Sequence, residues 1–253
     1  MAFSRLQIIA RADDAGCCQS ANLAIATACH FGAIRNVSFM APGPNIAQAA
    51  ALLQKRRRID CGLHVVLNAE WDDVKWGPVL PPESVPSLVD ENGHFLASPN
   101  LLHEKGFVLD EAVAEIEAQL ALLRELGVPV SYVDEHMGVS WIGLREEIAN
   151  LCAREGLIDA HGFSGLPRAP TPTGDIYEDF LAALRAAPDG TFVYVTHPGL
   201  DAPDMRVMGH AGLELGQIAR ERAAETALLV NPALKDELRR LDVEVIRYSD
   251  APR

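Results

Sequence analysis

The chain has 253 residues, 49% of them hydrophobic and 23% charged, which supplies ample core material and excludes a disordered or low-complexity chain. Its formal charge of −13 sets long-range repulsion against nucleic acid, anionic lipid and polyanionic glycans, so a neutral or cationic partner suits it better. The length fits one α/β barrel, and residues 1–253 read as a single domain.

Residues 1–5 lead into a strand-like run without the apolar core and small-residue cleavage site of a signal peptide, and no apolar run is long enough to span a bilayer. A cytoplasmic location with no membrane partner is the expectation. The first strand is read over 6–12 and ends on Asp13-Asp14, ahead of Ala15-Gly16. Further strands are read over 34–41, 59–67, 130–137, 158–163, 191–197 and 243–248. Apolar residues at i, i+3, i+4 spacing predict helices over 109–126, 144–155, 177–187 and 219–241. Asp110 is expected to cap the first of these, which stops at Gly127 before Pro129, and Asn231-Pro232 should interrupt the last. Strand-helix alternation of this kind predicts a parallel sheet of about seven strands in a barrel or incomplete barrel, with an open doubly wound sheet as the alternative.

The proline-rich stretch 68–106, with Trp71 and Trp76, breaks the alternation and is expected to run over the carboxyl-end face, where a barrel keeps its active site. Five cysteines (Cys17, Cys18, Cys29, Cys61, Cys152) form no C-x-x-C pair and read as buried thiols.

Candidate chemistry collects at strand ends. Asp13 and Asp14 follow the first strand, His64 lies in the third, His136 at the end of the fourth, and His197 at the end of the sixth. One carboxylate with two imidazoles leaves coordination positions open for water and substrate, the pattern of a catalytic metal site; Asp14, His64 and His136 fit it. Neighbours in extended chain point to opposite faces, so Asp13 and Asp14 can serve one site only if the backbone turns there, as Ala15-Gly16 would permit. Asp134, two residues before His136, shares its face and could orient it or a substrate hydroxyl. His30, His94, His103, His161 and His210 fall on helices or loops and are set aside as surface or structural residues.

In order along the chain, Ala12-Asp13-Asp14 with Asn22, Gly62-Leu63-His64, Asp134-Glu135-His136, His197-Pro198-Gly199 and Arg222-x-x-Glu225 resemble the motifs of the YdjC-like family of carbohydrate deacetylases, which includes chitooligosaccharide deacetylases. The loop segments Pro81-Pro82 and Ser87 through Phe95 add to the likeness, which spans nearly the whole chain. The resemblance implies a distorted (β/α) barrel, one divalent ion held by Asp14, His64 and His136, Asp13 as general base and His197 as general acid, in removal of an acetyl group from an N-acetylated carbohydrate. Members are described with Mg²⁺ and with Zn²⁺, and the donor set leaves both open. One departure stands out: many members carry a carboxylate four residues before the last histidine, where this chain has Val193. Asp134 and Arg222 are expected beside the site, and Trp71 and Trp76 to stack on sugar rings. Two other readings compete, a metal phosphoesterase, which commonly needs two ions and cationic clamps, and a catalytically silent sugar-binding barrel. A homo-oligomer stays open.

Overall fold

A computed structural model describes residues 6–252; the leader reading of residues 1–5 lies outside the described residues. In chain order the elements are β1 (Leu6–Ala15), α1 (Gln19–Phe31), β2 (Asn36–Phe39), α2 (Ile46–Leu53), β3 (Asp60–Val65), α3 (Pro99–Lys105), α4 (Leu109–Glu125) and β4 (Val130–Glu135). They continue with α5 (Arg145–Glu155), β5 (Ile158–Asp159), α6 (Ile176–Ala186), β6 (Gly190–Thr196), α7 (Pro203–Arg206), α8 (Gln217–Val230), α9 (Pro232–Arg240) and β7 (Val243–Val245).

The strands form one parallel sheet in the order β5-β4-β3-β2-β1-β6, with β7 also on β1. All ten residues of β1 are buried, as a strand covered on both faces requires. Beyond β5 the chain bends back to the free edge of β6, where Gly165 bridges Val193. The sheet therefore curls into an incomplete barrel, a distorted (β/α) barrel as expected. β7 pairs Leu6–Ile8 and β2 takes the same edge of β1 from Arg11 onward. Asn36 fills this fork. Its amide donates to Ala10 O and Ile246 O at 3.2 and 3.0 Å, while its Oδ1 accepts from Tyr248 N at 2.9 Å.

Local chemistry sets the element ends. Asn231 accepts from Ala233 N and Pro232 occupies the first helical turn, so the interruption foreseen in the last helical region separates α8 from α9. Asp110 does not cap α4. Val108 holds that position without a side-chain cap; its own N–H donates to Ser87 Oγ of the long loop, which in turn donates to Glu111 in the first turn. Gly62 is required by packing, since a Cβ there would lie 2.2 Å from the Tyr132 ring.

The stretch 68–106 is anchored from within. Trp71, Trp76, Val85, Leu88, Val89, Phe95 and Leu102 are buried, and Val89 pairs Phe95 in an antiparallel bridge. The fully buried Glu115 of α4 accepts Val79 N and Leu80 N at 2.9 and 3.0 Å, and Gln119 one turn on bonds both backbone groups of Val66. Of the cysteines, four are buried and Cys29 is half-buried, all as free thiols. No helix among the described residues is long and apolar enough to cross a membrane.

Candidate metal centre

The carboxyl ends of β1, β3, β4 and β6 converge on a cavity of about 490 Å³ lined by Asp13, Asp14, His64, His136 and His197, with Arg11, Glu70, Trp71, His210 and Arg222 among its other walls. Two adjacent carboxylates reach it because the backbone turns at Asp14 itself. Asp14 has φ 65°, and the pairing of β1 with β2 slips between Ala12 and Ala15. The bulge aims both side chains into one space, at a conformational cost that Asp tolerates better than most residues. The turn thus lies one residue before the Ala15-Gly16 hinge anticipated from sequence.

Asp14, His64 and His136, all buried, present one donor atom each. Asp14 Oδ1 lies 3.6 Å from His64 Nε2 and 3.4 Å from His136 Nδ1, and the two nitrogens are 3.3 Å apart. A centre about 2.0–2.2 Å from all three atoms sits just off the plane of a triangle this size, the spacing of Zn²⁺ or another small divalent ion. Asp14 Oδ1 is buried without a hydrogen-bond partner, so its lone pairs are available to a cation. The donor set therefore fits a divalent cation.

Each imidazole is fixed through its other nitrogen by a carboxylate. Asp134 Oδ1 holds His64 Nδ1 at 3.1 Å and Glu70 Oε2 holds His136 Nε2 at 2.9 Å. Such outer contacts select the tautomer and ring orientation. Asp134 accordingly orients His64, its register partner across β3 and β4, rather than His136. Glu70, from the proline-rich stretch, takes the latter task. Arg222 Nη2 meets Asp14 Oδ2 at 2.7 Å and leaves Oδ1 free.

Arg11 closes the opposite wall. Its Nε and Nη2 donate to the two oxygens of Asp13 at 2.6 and 2.7 Å, and its Nη1 lies 2.8 Å from Asp134 Oδ2. Burial would raise the Asp13 carboxyl, but the guanidinium outweighs it and holds Asp13 below the usual carboxylate range. Burial likewise opposes the charge on Asp14, and Arg222 overcomes it.

His197 stands at the rim with its side chain 41% exposed. Its backbone N–H donates to Glu225 Oε2, and its Nδ1 is 4.0 Å from Glu225 Oε1. Arg222 and Glu225, three residues apart on α8, thus share a helix face, one turned to Asp14 and the other to His197. Val193 lies elsewhere: it is buried on β6 and lines an adjoining cavity with Phe163 and His161, so Glu225 supplies the carboxylate near His197.

Of the two loop tryptophans, Trp71 lines the cavity, stacked on His210 with ring centroids 6.4 Å apart and with Arg222 6.0 Å from its ring. Trp76 does not reach the cavity. It is buried behind His136 with its indole N–H on Asn68 O at 2.7 Å. Sequence reasoning missed Arg11, Glu70 and His210. Arg11 carried a signal, since it lies two residues before Asp13 and so on the same face of the strand. Glu70 and His210 carried none.

Burial pushes the His136 imidazole down, but Glu70 and Asp14 override it and lift it to about 10. An incoming ion has to displace that proton, so apparent affinity should rise with pH through the neutral range, roughly tenfold per unit for one proton released. Calorimetric titration of metal-stripped protein at pH 6, 7 and 8 checks this; a flat affinity would show that no proton leaves His136 when the ion binds.

Taken together, an incomplete (β/α) barrel with a buried Asp/His/His donor set at the carboxyl ends of its strands defines a class, the metal-dependent enzymes built on parallel barrels. Residues 7–240 match the family described as YdjC-like protein, and the chain belongs to that family. Similar proteins include a chitooligosaccharide deacetylase of Enterobacter sp. (strain 638), 26% identical over 90% of this chain and 92% of that one. A carbohydrate deacetylase of Geobacillus stearothermophilus is 27% identical over 96% of each chain. Among solved structures, an Enterococcus faecalis V583 protein described as a cellobiose-phosphate cleavage protein superposes with a TM-score of 0.74 at 19% identity, covering 96% of this chain and 97% of that one, and shares the fold.

Proposed function

We propose that the protein is a metal-dependent hydrolase that removes the acetyl group of an N-acetylated carbohydrate, with Asp14, His64 and His136 holding the ion. The observation that carries the reading is the unpartnered Asp14 Oδ1 facing two carboxylate-braced imidazoles, with Asp13 and His197 on the walls of the same cavity. The names of the relatives supply the substrate class. A divalent ion held there would act as a Lewis acid on the acetyl carbonyl and make water a nucleophile near neutral pH.

The chain's own groups divide the proton work. Arg11 keeps Asp13 ionised, so its carboxylate can accept a proton from the attacking water, although the same pairing lowers its basicity. His197, exposed at the rim with Glu225 nearby, donates to the departing amine, which cannot leave as an amide anion. Trp71 and His210 form a wall against which the sugar can rest.

The phosphoesterase reading needs cationic groups for phosphate. Arg11 is engaged with Asp13 and Asp134, and Arg222 is tied to Asp14 through Nη2 with its Nη1 unpartnered, so the cavity lacks the set of free cationic groups that a phosphate clamp needs, which favours an uncharged acyl substrate. Glu225 beside His197 supports an active site over a silent barrel, since it offers a carboxylate near His197 that Val193 does not. The test is acetate release from a panel of N-acetylated mono- and oligosaccharides, run beside phosphate release from sugar phosphates, with elemental analysis of the purified protein. Acetate release that is lost on chelation and restored by Zn²⁺ or Mg²⁺ is expected. Phosphate release without acetate would replace the reading.

A further inference from the structure

We propose that Arg11 acts as a fixed second cation of the site, bound to the two carboxylates that would otherwise take a second ion and so limiting the centre to one. The inference rests on the metal-dependent reading above.

Two donor groups, not one, meet at the carboxyl end of the sheet. Asp14, His64 and His136 form the first, and Asp13, His64 and Asp134 form a second that shares His64; all five residues are buried. His64 turns Nε2 toward the first set and Nδ1 toward the second, so the two sets adjoin through one imidazole. The two sets differ in one respect. In the first, Asp14 Oδ1 has no hydrogen-bond partner. In the second, the guanidinium of Arg11 bonds both carboxylates, Asp13 through two nitrogens at 2.6 and 2.7 Å and Asp134 through the third at 2.8 Å.

Arg11 is itself buried, and Nη1 also donates to the Tyr248 hydroxyl at 3.1 Å. A guanidinium does not lose its proton in a protein, and its planar fork matches a carboxylate on two prongs. It therefore offsets one of the two carboxylate charges of the second set at every working pH and ties two parts of the site together. Asp13 is fixed in the plane of the fork. Asp134, held by Arg11 and by Ser38 Oγ at 2.9 Å on Oδ2, keeps its other oxygen on His64 Nδ1. Arg11 is thus a positioning residue for the Asp13 carboxylate and, through Asp134, for a metal-ligating imidazole.

Removing the guanidinium exposes two buried carboxylates that need a counter-charge, and a divalent cation can supply it. The experiment is titration of chelator-stripped protein with Mn²⁺, read by calorimetry and elemental analysis, on wild type, Arg11→Lys, Arg11→Gln and Arg11→Ala. Wild type and Arg11→Lys should bind one equivalent. The two neutral variants should gain a second, weaker equivalent, and the gain should vanish in the double variant Arg11→Ala/Asp13→Asn. Having two neutral variants keeps the comparison open should one fold poorly. Turnover should fall about 10–100-fold in the neutral variants, as for other outer partners of metal ligands, and recover in part with Arg11→Lys. Two equivalents in wild type, or an unchanged count in both neutral variants, would overturn the proposal while leaving the hydrolase reading intact. No ion in wild type with one gained in Arg11→Ala would do the reverse, sinking the Asp14 site and sustaining the role of Arg11.

Discussion

Asp14→Asn should strip the ion from the protein, and Asp13→Asn should leave it bound while turnover collapses. The two residues are adjacent yet chemically unequal. Asp14 directs its open oxygen at His64 and His136, and its other oxygen is tied to Arg222. An amide in its place offers a neutral, weaker donor and leaves the Arg222 guanidinium without its partner. Loss of a partner outside the first coordination sphere already costs about 10–100-fold in metal affinity, so loss of this ligand should exceed about 100-fold. Breaking a buried ion pair also destabilises the fold by about 3–5 kcal/mol, so the melting temperature must be measured on the same sample. Asp13 faces Arg11 on the other side of the bulge. On the proposed mechanism Asp13→Asn removes the proton acceptor, with kcat expected to fall by about 10²–10⁴-fold at near-normal metal content. If Asp13→Asn empties the site and Asp14→Asn leaves it filled, the two carboxylates have exchanged roles.

The second large effect is expected at His197. Its side chain is substantially exposed, and its backbone N–H rather than its ring holds Glu225 most closely, so His197→Ala leaves no buried group unpaired. Metal content and melting temperature should match wild type. kcat should fall about 100-fold or more, because the amine then departs without a positioned proton donor. The effect should shrink for an acetyl ester of low leaving-group basicity, which needs less help in departing. Full activity in His197→Ala on an N-acetyl substrate would move the acid role to another residue. An equal loss on amide and ester would point to substrate positioning instead.

Much of this centre was legible in the chain because strand ends collect functional groups in a parallel barrel. Asp14, His64 and His136 each follow or end an apolar run, and the structure brings them within 3.6 Å of one another. The seven strands were found where short apolar runs lie, most directly for β1, β2 and β3, since a strand buried on both faces has little choice of composition. The helix boundary at Asn231-Pro232 was equally local, a matter of a side-chain cap and a ring that fits the first turn. The start of α4 was not, because the group that satisfies Val108 N comes from Ser87, twenty-one residues away.

The sequence by itself determined the donor types, their places at the ends of strands and the alternation that builds the sheet, because these follow from side-chain chemistry and from periods of 2 and 3.6 residues. Only the tertiary structure decided which carboxylate serves which imidazole. Asp134 shares a strand face with His136 but bonds His64 across the sheet, and Glu70 reaches His136 from a loop with no periodicity to announce it. The same holds for His197, whose carboxylate neighbour is absent from its own strand at Val193 and arrives from α8 as Glu225. These pairings are set by where the closed chain brings distant backbone together, a distance that spacing along the sequence does not encode.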